Sequence, residues 1–206
     1  MRPVEFWFDF SSPYAYFAAM TLDRRERLRA RAFLWRPFLL GVVYQISGMA
    51  PLPDQPLRGA YALHDWQRLA KFLNVPLHEP APAPYRSQPV ARAFYWFEEQ
   101  RPELAVPFAK LAFAKRFYSG ADLSSPTAVI EACKQLLKDT GELETWLHSQ
   151  MARDKLKAMC SEAIAKGVFG SPFFIADGEP FWGWDRLELM EHWLRTGSWE
   201  PAAEQR

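Results

Sequence analysis

The chain has 206 residues, 49% hydrophobic and 24% charged, which is the composition of a globular protein and not of a disordered or fibrous one. Lys and Arg total 25 against 24 Asp and Glu, so a net charge of +1 supplies no field to gather nucleic acid or an anionic membrane. Cys133 and Cys160 lack Cys-x-x-Cys spacing, and His64, His78, His148 and His192 share no ligand spacing with them, so neither a disulfide framework nor a metal site is expected. The longest uncharged run, Pro37 to Pro53, is 17 residues and is broken by Gly41, Gln45, Gly48 and Pro51, too short to span a bilayer. Acidic Glu5 and Asp9 interrupt the first apolar stretch where a secretory signal would need continuity, so a cytoplasmic protein is expected.

Residues 4–10 are aromatic and β-branched and predict a strand, after which Ser11-Ser12-Pro13 is a helix start: a hydroxyl cap followed by proline at the first helical position. The helix runs from Tyr14 through Leu22 into a basic end, and Ala32 to Leu40 reads as a second strand, closing a βαβ unit. Residues 41–60 look loop-like, with Gly41, Gly48, Pro51, Pro53, Pro56 and Gly59. Helical periodicity returns at Tyr61, Leu63, Trp66, Leu69 and Leu73. Five prolines between 76 and 89 preclude a regular helix there. Helical patterns then fill 91–100, 102–118, 126–138, 142–149 and 153–166. Two short strands about Asp177-Gly178 and a helix over 187–195 close the chain. The order predicts an α/β fold: a thioredoxin-like core (βαβ…ββα) formed by 1–40 and 151–206, with an all-helical insertion over 41–150.

Three segments could carry chemistry. Ser12 lies between a strand and a helix N-terminus, where free N–H groups and the dipole would stabilise a thiolate or carboxylate; it, or Ser11, could equally be only an N-cap. In Gly167-Val-Phe-Gly-Ser-Pro172, a cis Ser171–Pro172 bond would free the Ser171 backbone to pair with a peptide-like ligand as a strand does, whereas a trans bond would make an ordinary strand start. In Trp182-Gly-Trp-Asp-Arg-Leu187, Asp185 is either a helix cap or a clasp for the ammonium of an amino-acid moiety. His64 beside Asp65 reads as a surface pair, Cys133 and Cys160 as inert core thiols, and Arg24–Arg27 and Glu98-Glu99 as solvated charge runs.

Taken together, Phe8-Asp-Phe-Ser-Ser-Pro-Tyr-Ala-Tyr16, Gly167-Val-Phe-Gly-Ser-Pro172 and Trp182-Gly-Trp-Asp-Arg-Leu187 resemble the 2-hydroxychromene-2-carboxylate isomerases and the related kappa-class glutathione transferases. Arg58, Tyr61, Asp65 and Arg68 are similar to that family's Lys-x-x-Tyr-x-x-x-Asp-x-x-Arg helix, with Arg58 in place of the lysine. The resemblance implies glutathione as cofactor, its sulfur at Ser12, its backbone paired at Ser171 with a cis Pro172, and its γ-glutamyl end held by Trp182, Gly183, Trp184 and Asp185. It implies reversible thiolate addition to a chromene acid, ring opening, bond rotation and release of a trans-benzylidenepyruvate-like product. Where the isomerases carry Asn-Tyr-Asn, this chain reads Pro82-Ala-Pro-Tyr-Arg86; Arg58 and Arg86 could bind a carboxylate bidentately and, with Tyr61, are the expected contacts for an aromatic or conjugated acid substrate. The same resemblance implies a DsbA-like thioredoxin fold whose Cys-x-x-Cys positions are Ser12 and Ala15, and a homodimer. A kappa-like transferase is the alternative activity, and a non-catalytic peptide-binding module the alternative of another class.

Overall fold

The computed structural model describes residues 2–25, 28, 31–78 and 85–200. The sheet is built on β1 (Val4–Phe8), a strand flanked on both sides and buried on both faces, which is why its sequence is almost continuously aromatic. β2 (Phe33–Pro37) pairs with it in parallel, from Val4 against Phe33 to Phe8 against Pro37. β3 (Phe173–Ala176) pairs with its other side antiparallel, and β4 (Glu179–Trp182) completes the order β2-β1-β3-β4. Pro37 is tolerated because β2 is an edge strand. The β3–β4 turn is Asp177-Gly178, both at positive φ (53° and 94°), the backbone that a two-residue hairpin with right-twisted strands requires. Arg31 fixes that turn by donating to the Asp177 carboxylate at 2.8 Å.

Helix α1 (Pro13–Thr21) connects β1 to β2, and α2 (Leu40–Ser47) follows β2 directly. The segment 41–60 is therefore not a continuous loop, because α2 and a 3-10 turn at Leu52–Asp54 occupy much of it. Its start is hidden from local sequence: the group that caps it is the Asp9 carboxylate, which accepts from the Leu40 N–H at 2.7 Å across 31 residues. Gly48 ends it in the left-handed conformation at φ 71°.

Between α2 and β3 the chain forms α3 (Arg58–Leu73), α4 (Gln88–Gln100), α5 (Pro102–Phe117), α6 (Pro126–Cys133), α7 (Gly141–His148) and α8 (Gln150–Ala165); α9 (Leu187–Thr196) follows β4. α4 begins three residues earlier than the apolar period suggests, because Pro89 sits in its first turn, where a missing N–H costs nothing. Ser125 caps α6 by accepting from the Ala128 N–H, as its Ser-Ser-Pro start predicts. α4 carries Phe94, Tyr95, Trp96 and Phe97, all buried, so the middle of this helix is enclosed while its C-terminal Glu99 and Gln100 are exposed. Aromatic contacts join insertion and sheet without a seam: Phe8 meets Phe94 at 6.2 Å and Phe113 at 5.5 Å, and Phe10 meets Phe113 at 4.9 Å. The prolines at 80, 82 and 84 and the charges of Glu26 and Arg27 lie outside the described residues.

The remaining charge runs are not simply solvated. Arg25 pairs with Glu191 of α9 at 2.9 Å, Arg36 of β2 pairs with Glu98, and Lys155 pairs with Glu99, so these charges tie elements together. Cys133 and Cys160 are buried free thiols, and burial pushes Cys133 up to about 12, consistent with inert core residues. Among the described residues no helix is long and apolar enough to cross a membrane, and no cluster of three or more His, Cys, Asp or Glu could hold a metal ion.

Candidate functional site

Ser12 is the N-cap of α1: its hydroxyl oxygen accepts from the Ala15 N–H at 3.2 Å, and its own N–H donates to the Asp9 carbonyl at 3.0 Å. Ser11 does not cap the helix; its N–H closes a tight turn onto the Asp9 carboxylate at 2.8 Å. Pro13 has no N–H and Ala15 is capped by Ser12, so Tyr14 carries the N–H left open at this helix start.

Facing Ser12 is the Ser171–Pro172 loop, with a cis peptide bond. The expectation that the whole Ser171 backbone is free needs correction. Its carbonyl accepts from the Ser12 hydroxyl at 2.8 Å, which satisfies the buried Ser12 donor. Its N–H makes no hydrogen bond among the described residues. The Ser171 hydroxyl oxygen accepts from the Asp9 N–H at 2.8 Å, so side chain and main chain lock this loop to the end of β1.

The turn after β4 is joined to the same loop, since the Gly183 N–H donates to the Pro172 carbonyl at 3.0 Å. Gly183 has φ 109°, a backbone conformation that requires glycine, and a Cβ there would also push the exposed Asp185 carboxylate aside. Trp184 turns inward to donate to the Thr21 hydroxyl of α1 at 3.4 Å, whereas Trp182 is half-exposed against Phe169. Asp185 is in a 3-10 turn (Trp184–Arg186) ahead of α9 and makes no capping bond; its exposed carboxylate pairs with Arg186 at 2.9 Å.

The α3 residues assemble only in part. Tyr14, two residues after Ser12, donates to Asp65 at 2.9 Å; Arg68 donates to Asp65 and, at 3.0 Å, to the Tyr61 hydroxyl. Asp65 is thus committed to α1 and Arg68, not to His64. Burial, reinforced by Asp65, drives the Tyr14 phenol well above its ordinary range. Arg58 instead reaches back to Gln55 at 3.1 Å, and the Arg86 side chain is exposed while its N–H donates to Ser124.

Three residues near this site escape sequence reading. Asp9 is 3% exposed and has no cation; it is satisfied by the N–H groups of Ser11 and Leu40 and by the hydroxyls of Ser87 and Ser11. Burial outweighs those bonds and raises its pKa from 3.8. Tyr85, whose charge environment includes Asp9, lies under the guanidinium of buried Arg116 at 4.0 Å. An aspartate between the aromatic residues Phe8 and Phe10, and an arginine in the buried series 109, 112, 113, 116, were the available signals.

With this geometry in view, the comparison with known proteins is decisive for the family: the model of the DSBA-like thioredoxin domain matches residues 3–195. The chain belongs to the DsbA-like thioredoxin family. Within that family it is 25% identical to the 2-hydroxychromene-2-carboxylate isomerase of Sphingobium xenophagum, covering 94% of this chain and 98% of the relative. It is 24% identical to human glutathione S-transferase kappa 1, covering 94% and 91%. The solved structure of a 2-hydroxychromene-2-carboxylate isomerase superposes with a TM-score of 0.82 at 26% identity, over 93% of each chain. The cytosolic disulfide reductase DsbM of Pseudomonas aeruginosa, solved with GSH, shares the fold with a TM-score of 0.66 at 14% identity, over 95% and 98%. In this DsbA-like chain Ser12 and Ala15 stand where the resemblance puts two cysteines.

Proposed function

We propose that this chain is a glutathione-dependent isomerase of the 2-hydroxychromene-2-carboxylate type, interconverting a chromene acid and a trans-benzylidenepyruvate-like product. The observation that carries the reading is the contact between the Ser12 hydroxyl and the Ser171 carbonyl, at a helix start with no second thiol position. With Ala15 in place of a resolving cysteine, dithiol exchange has no partner here.

The residues present fit glutathione. The unpaired Ser171 N–H and the Tyr14 N–H are donors to a peptide backbone and a thiolate, and the exposed Asp185 carboxylate is an acceptor for an ammonium group. When bound, glutathione supplies a thiolate able to add reversibly to a conjugated acid. Ser12 holds the proton that matters: its hydroxyl turns from the Ser171 carbonyl toward the sulfur and lowers the thiol pKa together with the α1 dipole. The Ser171 carbonyl, released by that turn, then accepts a ligand N–H, so its hydrogen bond is replaced and not lost. Trp182, Gly183 and Trp184 frame the γ-glutamyl end, while Arg58, Tyr61 and Arg86 are the contacts proposed for the substrate. A homodimer and a cytoplasmic location belong to the same proposal.

The test is stoichiometry. With substrate in excess over glutathione, the account expects many product molecules per glutathione and undiminished free thiol. Thiol consumed one for one with substrate identifies a kappa-like transferase instead. Absence of glutathione binding by calorimetry leaves only a non-catalytic peptide-binding groove.

A further inference from the structure

Helix α5 turns Ala109, Ala112, Phe113, Arg116 and Phe117 toward the interior, and Arg116 is a cation in that row. It is 8% exposed, its guanidinium lies over the Tyr85 ring at 4.0 Å, and its Nε has no partner. Among the described residues it makes neither hydrogen bond nor ion pair. Asp122, the carboxylate whose charge it feels, is engaged with the Ser124 N–H at 2.9 Å. The Tyr85 hydroxyl is likewise buried without a partner among the described residues. A buried guanidinium is tolerated when an anion or an aromatic face compensates it, and the tyrosine face compensates only part.

The position of this pair connects it to Ser12. Phe113, one turn before Arg116, packs on Phe10 and Tyr16, which flank the start of α1. Tyr85 lies within the field of both Arg116 and Asp9, and Asp9 carries the Ser11–Ser12 turn. Helix α5, which carries Arg116, is thus joined to the start of α1 through Phe113, and Arg116 and Tyr85 hold donors that no described residue takes, of the kind that bind a planar anion.

We propose that Arg116, stacked on Tyr85, is a recognition site for a carboxylate, receiving the acid group of a small conjugated 2-oxo acid with the Tyr85 hydroxyl as second donor. The substrate class rests on the proposed glutathione chemistry, whereas carboxylate recognition does not. The glycyl carboxylate of glutathione has the same chemistry, so both sources are tested.

The experiment is calorimetric titration of the full chain, without glutathione, by trans-benzylidenepyruvate and by its uncharged counterpart benzylideneacetone, and separately by glutathione and γ-glutamylcysteine. The native chain is expected to bind the keto acid at least tenfold more tightly than the ketone. Arg116→Gln removes that preference and leaves the ketone affinity unchanged; Tyr85→Phe, which keeps the ring, reduces the preference threefold or more. If the loss falls instead on glutathione and spares γ-glutamylcysteine, Arg116 holds the glycyl carboxylate, and carboxylate recognition still stands. Unchanged preferences in Tyr85→Phe and in an Arg116→Gln chain with native near-ultraviolet dichroism overturn the proposal, as does a native chain that distinguishes neither pair. A chain that never binds glutathione yet selects the keto acid through Arg116 refutes the glutathione reading and keeps this one.

Discussion

Ser12 and Asp185 differ in how much of their role the fold already uses. Ser12 has a cap bond and a carbonyl to satisfy, so its substitution combines structural and chemical effects. Asp185 is exposed and caps nothing, which makes it the cleaner test of ligand binding. Asp185→Asn is expected to weaken glutathione about tenfold or more, the value of a charge-assisted bond of roughly 1.5–3 kcal/mol, with no change in the melting temperature. Equal weakening of a simple thiol by calorimetry would contradict that role. Asp9 makes a different prediction, about pH. Burial raises its pKa above 3.8, so the folded chain holds its proton more tightly than the unfolded chain does. The stability contributed by that proton is complete below 3.8 and is lost as pH rises through the raised value. Urea unfolding of native and Asp9→Asn chains should therefore show the native margin shrinking as pH rises across this window; a constant or growing margin would refute the assignment.

At the scale of elements, Asp9 ties together segments that are far apart in the chain. It accepts from the Ser11 N–H ahead of α1, from the Leu40 N–H at the start of α2 and from the hydroxyl of Ser87, the residue before α4, so one carboxylate joins three segments. Gly170 shows how closely the facing loop is fitted. A Cβ there would lie 2.1 Å from Trp182 Nε1, so Gly170→Ala must displace the indole. The expected cost is about 1 kcal/mol in stability, since the half-exposed ring can swing outward, with glutathione weakened several-fold and an altered tryptophan emission. Unaltered emission and affinity would remove Trp182 from the site. These contacts also mark what sequence could convey. The Ser-Ser-Pro and Asp-Gly signals are local, and α1 and the hairpin appear where they indicate. The start of α2 depends on a cap 31 residues away and has no local signature, whereas Arg116 is signalled only by its place in an apolar helical row and its aromatic cover, Tyr85, comes from another segment.

For the molecule as a whole, the sheet and the helical insertion share one apolar core, crossed by Phe8, Phe10, Phe94 and Phe113. The division into a thioredoxin-like domain and an insertion then describes chain order, and unfolding is expected as a single transition, with far-ultraviolet dichroism and tryptophan emission coincident in urea. Two separated transitions would mean that the helical part holds a core of its own. Family membership, the Ser12–Ser171 contact and the free Ser171 N–H converge on one claim, that the chain activates a bound thiol at the start of α1. The measurement that tests it most directly is the pH titration of thiolate absorbance for glutathione bound to the native and Ser12→Ala chains. The account predicts a bound thiol pKa below the free value of about 8.5 in the native chain, rising toward it in the variant while glutathione still binds. A bound thiol that titrates like free glutathione in the native chain, or identically in both chains, would contradict it.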